Sequence, residues 1–260
     1  MRGGPLASPT SQSLDRVLEF VRAVLVRTVT EVRQVPVGLV VRTPSLPAVW
    51  SANQLRVTES LDFREMTDLA DEELAGLGYL DIALEHQASG PALEEVFRSG
   101  AWKVQRDLLM TLSSGPDRPT DTSVVVEAGE DETMDMMARW YAEDPGPNPM
   151  ECTQLVEYTR RETRVYGDHL LGVRSSDGQL VATTKLRSDG HTAQVEDVYT
   201  VPEARGRGYA RALVSRAVEL AQETGAELVF ITADDNDWPK LLYARIGFRA
   251  VGHVWHFHRQ

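Results

Sequence analysis

Apolar residues recur at helical spacing in some stretches of this chain and at strand spacing in others. Between Leu14 and Val35, positions Leu14, Val17, Leu18, Val21, Val24 and Leu25 fall on one helical face. Asp15, Arg16, Glu19, Arg22, Arg27, Glu31 and Arg33 interrupt the stretch. A membrane span needs about 20 mostly apolar residues, so the pattern predicts an amphipathic helix that stays out of a membrane. Gly208 to Thr224 shows a second clear helical period, through Ala210, Leu213, Val214, Ala217, Val218 and Ala221, with Gly225 placed to cap it.

Further helices are predicted over Phe63–Leu74, Pro91–Phe97, Asp131–Ala142, Glu151–Thr163 and Trp238–Ile246. Strands are predicted over Val37–Arg42, Gly78–Leu84, Lys103–Leu112, His169–Arg174, Gln179–Leu186, Ala193–Val201, Glu227–Ala233 and Phe248–His258. The β-branched run Ser123–Ala128 predicts a buried strand. Ser175 to Gly178 is a hairpin turn between two of these strands. The order indicates a mixed α/β sheet.

The polar, breaker-rich stretch Ser113 to Thr122 marks a boundary. It separates an N-terminal domain, residues 14–115, from a second domain, residues 122–260. Met1 to Ser13, rich in Gly, Pro and Ser, reads as a disordered tail and lacks the apolar core of a signal peptide. A faint repeat links the halves. Gly78–Leu112 and Glu227–His258 share the order strand, loop with proline, short helix, glycine, strand.

The 260 residues carry a formal net charge of -12. An acidic surface repels phosphate backbones, so no nucleic-acid partner is expected. The single cysteine, Cys152, allows no intrachain disulfide and no Cys-rich zinc site, which suits a reducing, cytoplasmic setting. His256 and His258 share a strand face, but no carboxylate or cysteine stands near them in sequence, so no metal site is expected. Cys152 reads as a small packed residue at a helix start.

The chemistry concentrates in Glu196–Ala212. A strand ends near Val201-Pro202, a loop supplies Arg205, Gly206, Arg207 and Gly208, and a helix begins at once. Glycines let a ligand approach the backbone. The first helical amides lack internal partners and sit at the positive end of the dipole, so a pyrophosphate fits there. Arg205, Arg207 and Arg211 add local positive charge. The Rossmann fingerprint is missing, because Arg211 stands where its third glycine is required.

Arg205-Gly206-Arg207-Gly208-Tyr209-Ala210 resembles the GNAT (GCN5-related N-acetyltransferase) motif Arg/Gln-x-x-Gly-x-Gly/Ala. The preceding Val198-Tyr199-Thr200-Val201-Pro202-Glu203 resembles that family's central strand. Asn236, Tyr243 and Gly247-Phe248 match a second family pattern. The resemblance covers roughly Ser123 to His258. It implies a mixed, mainly antiparallel central sheet flanked by helices, and acetyl-CoA as acyl-donor cosubstrate. It further implies backbone bonds from Val198, Tyr199 and Thr200 to the pantetheine arm, pyrophosphate on the amides of Arg205 to Ala210, Asn236 on the pantetheine, and Tyr243 near the sulfur. The first half has no such glycine loop. It is expected to be a degenerate GNAT-like lobe that shapes the acceptor pocket or a dimer interface.

The implied activity is acetyl transfer to an amine by direct attack on the thioester; the alternative is a non-catalytic acyl-CoA-binding or regulatory module. An ammonium must lose a proton before it can attack. Glu196 and Asp197 are the candidate bases; they point to opposite faces of the strand, and Glu196 is preferred. Tyr243, with a phenol pKa of about 10, is the candidate acid for the leaving thiolate; its alternative role is packing. Glu143 and Asp144, in a proline-rich loop, are either attractors of an amine or surface charges. Asp234, Asp235 and Asp237 are expected to cap the following helix.

Overall fold

The computed structural model describes residues 9–143 and 148–260. The chain begins with helix α1 (Pro9–Thr28), so the ordered chain starts before Leu14; residues 1–8 of the expected tail lie outside the described residues. Two hairpin strands follow, β1 (Glu31–Val35) and β2 (Gly38–Arg42), then β3 (Gln54–Val57), helix α2 (Phe63–Glu73), β4 (Leu80–Leu84), helix α3 (Gly90–Ser99) and β5 (Lys103–Leu112). The second half runs β6 (Val125–Glu127), α4 (Glu130–Glu143), α5 (Pro149–Tyr166), β7 (His169–Arg174), β8 (Leu180–Ser188), β9 (Thr192–Thr200), α6 (Tyr209–Glu223), β10 (Leu228–Asp234), α7 (Pro239–Ile246) and β11 (Phe248–Arg259).

Among the described residues eleven strands form one sheet, in the order β1-β2-β3-β4-β11-β5-β10-β9-β8-β7-β6. Two pairs, β3 with β4 and β9 with β10, are parallel; the others are antiparallel. Each parallel pair is joined by a helix, α2 in the first half and α6 in the second, as a parallel crossover requires. Each half then adds a short helix and a final strand. The two final strands are exchanged. β11 lies beside β4 of the first half, and β5 lies beside β10 of the second. The halves therefore share one layout, related end to end across the β5–β11 pair.

Helix α1 fastens the centre. Its buried Val17, Leu18, Phe20 and Val24 pack with Ala83 of β4 and with Leu228 and Phe230 of β10. At about 1.5–3 kcal/mol for each buried apolar side chain, this stripe clamps both halves from one face. The opposite face carries α6 and α7 over the second half and α2 and α3 over the first.

Three local expectations need correction. The helix predicted to reach Val35 stops at Thr28, and β1 follows. The charges of Glu31 and Arg33 belong to an exposed edge strand, where charge discourages edge pairing, and they mimic the polar face of a helix. β3 was not expected at all; it has four residues, and Gln54 and Arg56 are buried polar positions in it. β6 is not a buried strand but the opposite sheet edge, half-exposed at Val125 and exposed at Val126 and Glu127.

Candidate active site

The central strand of the second half is distorted where chemistry was expected. β9 pairs with β10 only from Thr192 to Val195, ending at Val195 opposite Ile231. From Glu196 to Thr200 it has register partners only on β8. On the β8 side the register slips, with Thr183 opposite Tyr199 but Lys185 opposite Glu196. This is a bulge at Asp197-Val198, and Asp197 takes the left-handed φ of 52°. The bulge turns the strand away from β10 and leaves the backbone of Val198, Tyr199 and Thr200 available on that edge.

The loop after β9 ends in helix α6. Its N-cap is Gly208, at φ 83°, with no side-chain cap. The first amides of α6 therefore have no side-chain acceptor, and a Cβ added at Gly206 or Gly208 would meet nothing within 4 Å. Open space over uncapped amides suits an anion. Arg205 donates to the Thr200 carbonyl at 3.0 Å and pairs with Glu143 at 2.6 Å. Arg207 reaches back to the Glu203 carbonyl at 3.2 Å. Tyr209 and Ala210, both half-buried, open the helix. Arg211 does not join the loop. It is buried and holds Asp117 and Thr120 of the inter-half linker, so its charge fastens that linker.

The equivalent place in the first half is closed. Helix α2 is capped by Asp62, whose carboxylate accepts from Glu65 N at 2.9 Å while Glu65 returns a bond to Asp62 N at 3.0 Å. An anion would meet a carboxylate there. β3 and β4 stay paired through Val57 and Leu84, and Glu85 N continues the ladder to Val57 O at 2.9 Å.

Tyr243 is buried on α7, edge-on to Phe248, and its hydroxyl has no hydrogen-bond partner among the described residues. Burial, then the carboxylates of Glu196 and Asp237, push its phenol upward. Asn236 is exposed in the loop before α7, its N–H on Asp234 Oδ1 at 2.7 Å. The expected acidic cap is not made. The N-cap is Trp238, with no side-chain bond, because Asp235 is claimed by Arg106, by Lys240 at 2.9 Å and by His253 at 3.4 Å. Tyr199 is buried with its hydroxyl on Glu143, so that carboxylate is already occupied. Asp144 lies outside the described residues.

A cavity of about 180 Å³ crosses the sheet from β3 to β8, under α1 and α5. Both halves line it: Gln54, Arg56 and Asp107 come from the first, and Lys185, Arg187 and Glu196 from the second. Arg187 holds buried Asp168 through two nitrogens, at 3.0–3.1 Å. Glu196 is pushed up to about 8, first by burial and then by the adjacent Asp197, with Arg187 and Lys185 opposing. Burial likewise raises Glu162.

The fold brings carboxylates to the histidines that sequence left alone. His256 Nε2 lies 3.1 Å from Asp107, and His258, stacked on Trp50, lies 3.5 Å from Asp81. No group of three potential metal ligands forms among the described residues. Cys152 sits half-buried in the first turn of α5. The cavity residues Glu162, Lys185 and Arg187 were missed in sequence. The signal for the last two was that they are the pair of cations in the otherwise uncharged strand β8.

Residues 134–248 match the model of the Acetyltransferase (GNAT) family. A functionally unknown conserved protein from Staphylococcus epidermidis is similar in fold, with a TM-score of 0.70 and 11% identity over 89% of this chain and 94% of that one. A GCN5-related N-acetyltransferase from Kribbella flavida superposes with a TM-score of 0.59 and 21% identity, covering 94% of both chains. A tandem GNAT protein from the clavulanic acid biosynthesis pathway gives a TM-score of 0.51 and 14% identity over 75% of this chain and 67% of that one. No curated protein matches the chain. No described helix is long and apolar enough to cross a membrane. Residues 134–248 thus match the Acetyltransferase (GNAT) family model, within a chain whose two halves repeat one mixed α/β layout shared with the fold of these solved structures.

Proposed function

We propose that the chain transfers an acetyl group from acetyl-CoA to an amine acceptor. The observation that carries this reading is the divergence of β9 from β10 beyond Val195, followed directly by the uncapped α6 at Gly208. An open strand edge and an anion site in sequence suit the amide-bearing arm and the pyrophosphate of one ligand. Acetyl-CoA, when bound, supplies the acyl thioester.

In this reading the amides of Arg205 to Ala210 hold the pyrophosphate, and Asn236 bonds the pantetheine arm. The backbone of Val198, Tyr199 and Thr200 orients the arm and polarises the thioester carbonyl, which needs donors as its oxygen gains charge. Glu196 takes the ammonium proton, directly or through water, so that nitrogen can form the new C–N bond as the C–S bond breaks. A carboxylate raised to about 8 by its surroundings is matched to that task near neutral pH. Tyr243 gives its hydroxyl proton to the departing sulfur. Asp197 is less suited to act as base, because Lys185 engages it at 2.6 Å. The first half serves as a lobe that completes the acceptor cavity.

The test is calorimetric titration with acetyl-CoA, beside the Gly208→Glu variant, followed by thiol-release assays over an amine panel. One-to-one binding lost in the variant, with thiol release on adding an amine, supports the reading. Binding without release from any amine favours a non-catalytic acyl-CoA module, and no binding removes the enzyme reading.

A further inference from the structure

The cavity is lined by charged side chains at both ends. At the β9 end four carboxylates, Glu162, Asp168, Glu196 and Asp197, stand around Lys185 and Arg187. Asp197 engages Lys185 and Asp168 engages Arg187, at 2.6 and 3.0 Å. Among the described residues, Glu162 and Glu196 have no ion-pair partner, and Glu196 accepts only from the Gln194 amide. Four carboxylates around two cations leave acidic groups in excess, which a further cation would offset.

Arg56 lines the β3 end, and behind the cavity wall it shares a single carboxylate, Glu85, with Arg22. Arg56 is 4% exposed and reaches Glu85 through Nε. Beside it Gln54 is 2% exposed; its Nε2 donates to the Ser51 carbonyl at 2.5 Å, and its Oε1 is buried without a partner. An orphaned buried acceptor costs about 1–3 kcal/mol unless a ligand donor meets it. In between, Asp107 and His256 offset each other at 3.1 Å, and Val21, Val24, Leu25 and Leu109 form apolar wall. The cavity therefore offers anion, apolar surface and cation in sequence, with an unmet acceptor beside the cation.

Resting on the acyl-transfer reading above, we propose that the acceptor is a small diamino carboxylic acid. Its far ammonium lies toward Glu162 and Glu196, its carboxylate on Arg56, and its second nitrogen on Gln54 Oε1. The methylene chain between them lies along the apolar wall. A plain diamine answers the β9 end and leaves Arg56 unmatched. An amino acid with both charges on one carbon has no separate ammonium for the β9 end once its carboxylate lies on Arg56 of β3, with four strands between β3 and β9.

The test is acetyl-CoA thiol release with four amines of matched length: lysine, 1,5-diaminopentane, 6-aminohexanoate and 1-aminohexane. A charge-assisted bond in a buried site is worth about tenfold or more in kcat/KM. Lysine is expected to exceed 1,5-diaminopentane by at least that factor, with 6-aminohexanoate between them and the acetyl group on the far nitrogen by mass spectrometry. The lysine-to-6-aminohexanoate ratio should collapse toward one in Gln54→Leu, and the lysine-to-diaminopentane ratio in Arg56→Gln made together with Glu85→Gln so that no lone buried charge remains. Melting curves report whether these variants fold, and the comparison on the unmodified protein stands without them. Equal or better use of 1,5-diaminopentane overturns the acceptor assignment and leaves acyl transfer standing. No thiol release with any amine, despite binding of acetyl-CoA, overturns the transfer reading and this assignment with it.

Discussion

Lys185 Nζ lies 2.6 Å from Asp197 Oδ2, with the lysine side chain 1% exposed, and this pair pins the residue at the centre of the β9 bulge. A non-glycine residue at φ 52° is strained unless its surroundings hold it. Burial pulls the lysine's pKa down, but Asp197 and Glu162 outweigh burial and hold it above its usual value, so it stays charged. Replacing one partner strands the other. Lys185→Met is expected to cost about 3–5 kcal/mol, read as a lower midpoint in denaturant. A midpoint within experimental error of the unmodified protein would show that the pair is not what holds the bulge.

Glu196 is the neighbour that this pair leaves without a cation, and its raised pKa carries two predictions of pH dependence. As base it must be ionised, so kcat/KM should climb with pH through about 8, and Glu196→Gln should flatten that limb and lower kcat. The stability sign is opposite to that of a salt-bridged carboxylate. The folded state holds the proton up to about 8 and the unfolded chain only to about 4.3, so stability falls as pH rises between them. Glu196→Gln should melt higher than the unmodified protein at pH 9, by a few degrees at about 2–4 °C per kcal/mol. The gap should close below pH 4. A variant that melts lower at pH 9 would contradict the unfavourable burial of this carboxylate beside Asp197, Glu162, Lys185 and Arg187.

Tyr243→Phe removes one hydroxyl that bonds to nothing in the described structure, so folding should be untouched and the edge contact with Phe248 kept. Acetyl-CoA binding should persist while transfer slows by roughly 10²-fold or more. Thiol release at an unchanged rate across the pH range would return Tyr243 to a packing role.

On the proposed reading, the helix caps explain why only one half should bind acetyl-CoA. Asp62→Ala removes the carboxylate that accepts from Glu65 N–H, leaves the backbone N–H of position 62 bonded to the Glu65 carboxylate, and should cost about 1 kcal/mol. It should create no second acetyl-CoA site, because β3 and β4 remain paired beneath it. Calorimetry giving two sites per chain in this variant would mean that the cap alone silences the first half.

The glycine loop and α6 were legible in sequence because two signals coincide there, a breaker pattern and an unbroken helical period. The exact bounds of β5 and β7 were legible for a similar reason, since glycine or serine turns bracket them. The cavity between the halves was not. Gln54 and Arg56 sit in a four-residue strand, Asp107 and His256 lie far apart in the chain, and the strand exchange alone brings them beside Glu196. Charge in a buried strand also works against a period-based reading, which assigns Gln54, Lys185 and Arg187 to solvent. The repeat between Gly78–Leu112 and Glu227–His258 was visible only as an order of elements. Its consequence, the exchange of β5 and β11, depends on which sheet edge each strand meets.

That exchange makes the last prediction the most direct. Both neighbours of β11, β4 and β5, belong to the first half, and β10 has β5 as its outer neighbour. A fragment of residues 122–260 would leave both edges of β11 and the β5-facing edge of β10 unpaired, and would expose the apolar surface that α1 covers through Phe230 and Leu228. It should aggregate or remain unfolded alone, by circular dichroism and size-exclusion chromatography. Co-expressed with residues 1–115 it should recover a one-to-one complex, since the linker contributes chiefly the bonds of Asp117 and Thr120 to Arg211. A soluble, folded, acetyl-CoA-binding 122–260 fragment would mean that β11 can turn back into the place of β5, and that the halves are independent units joined by choice of partner strand.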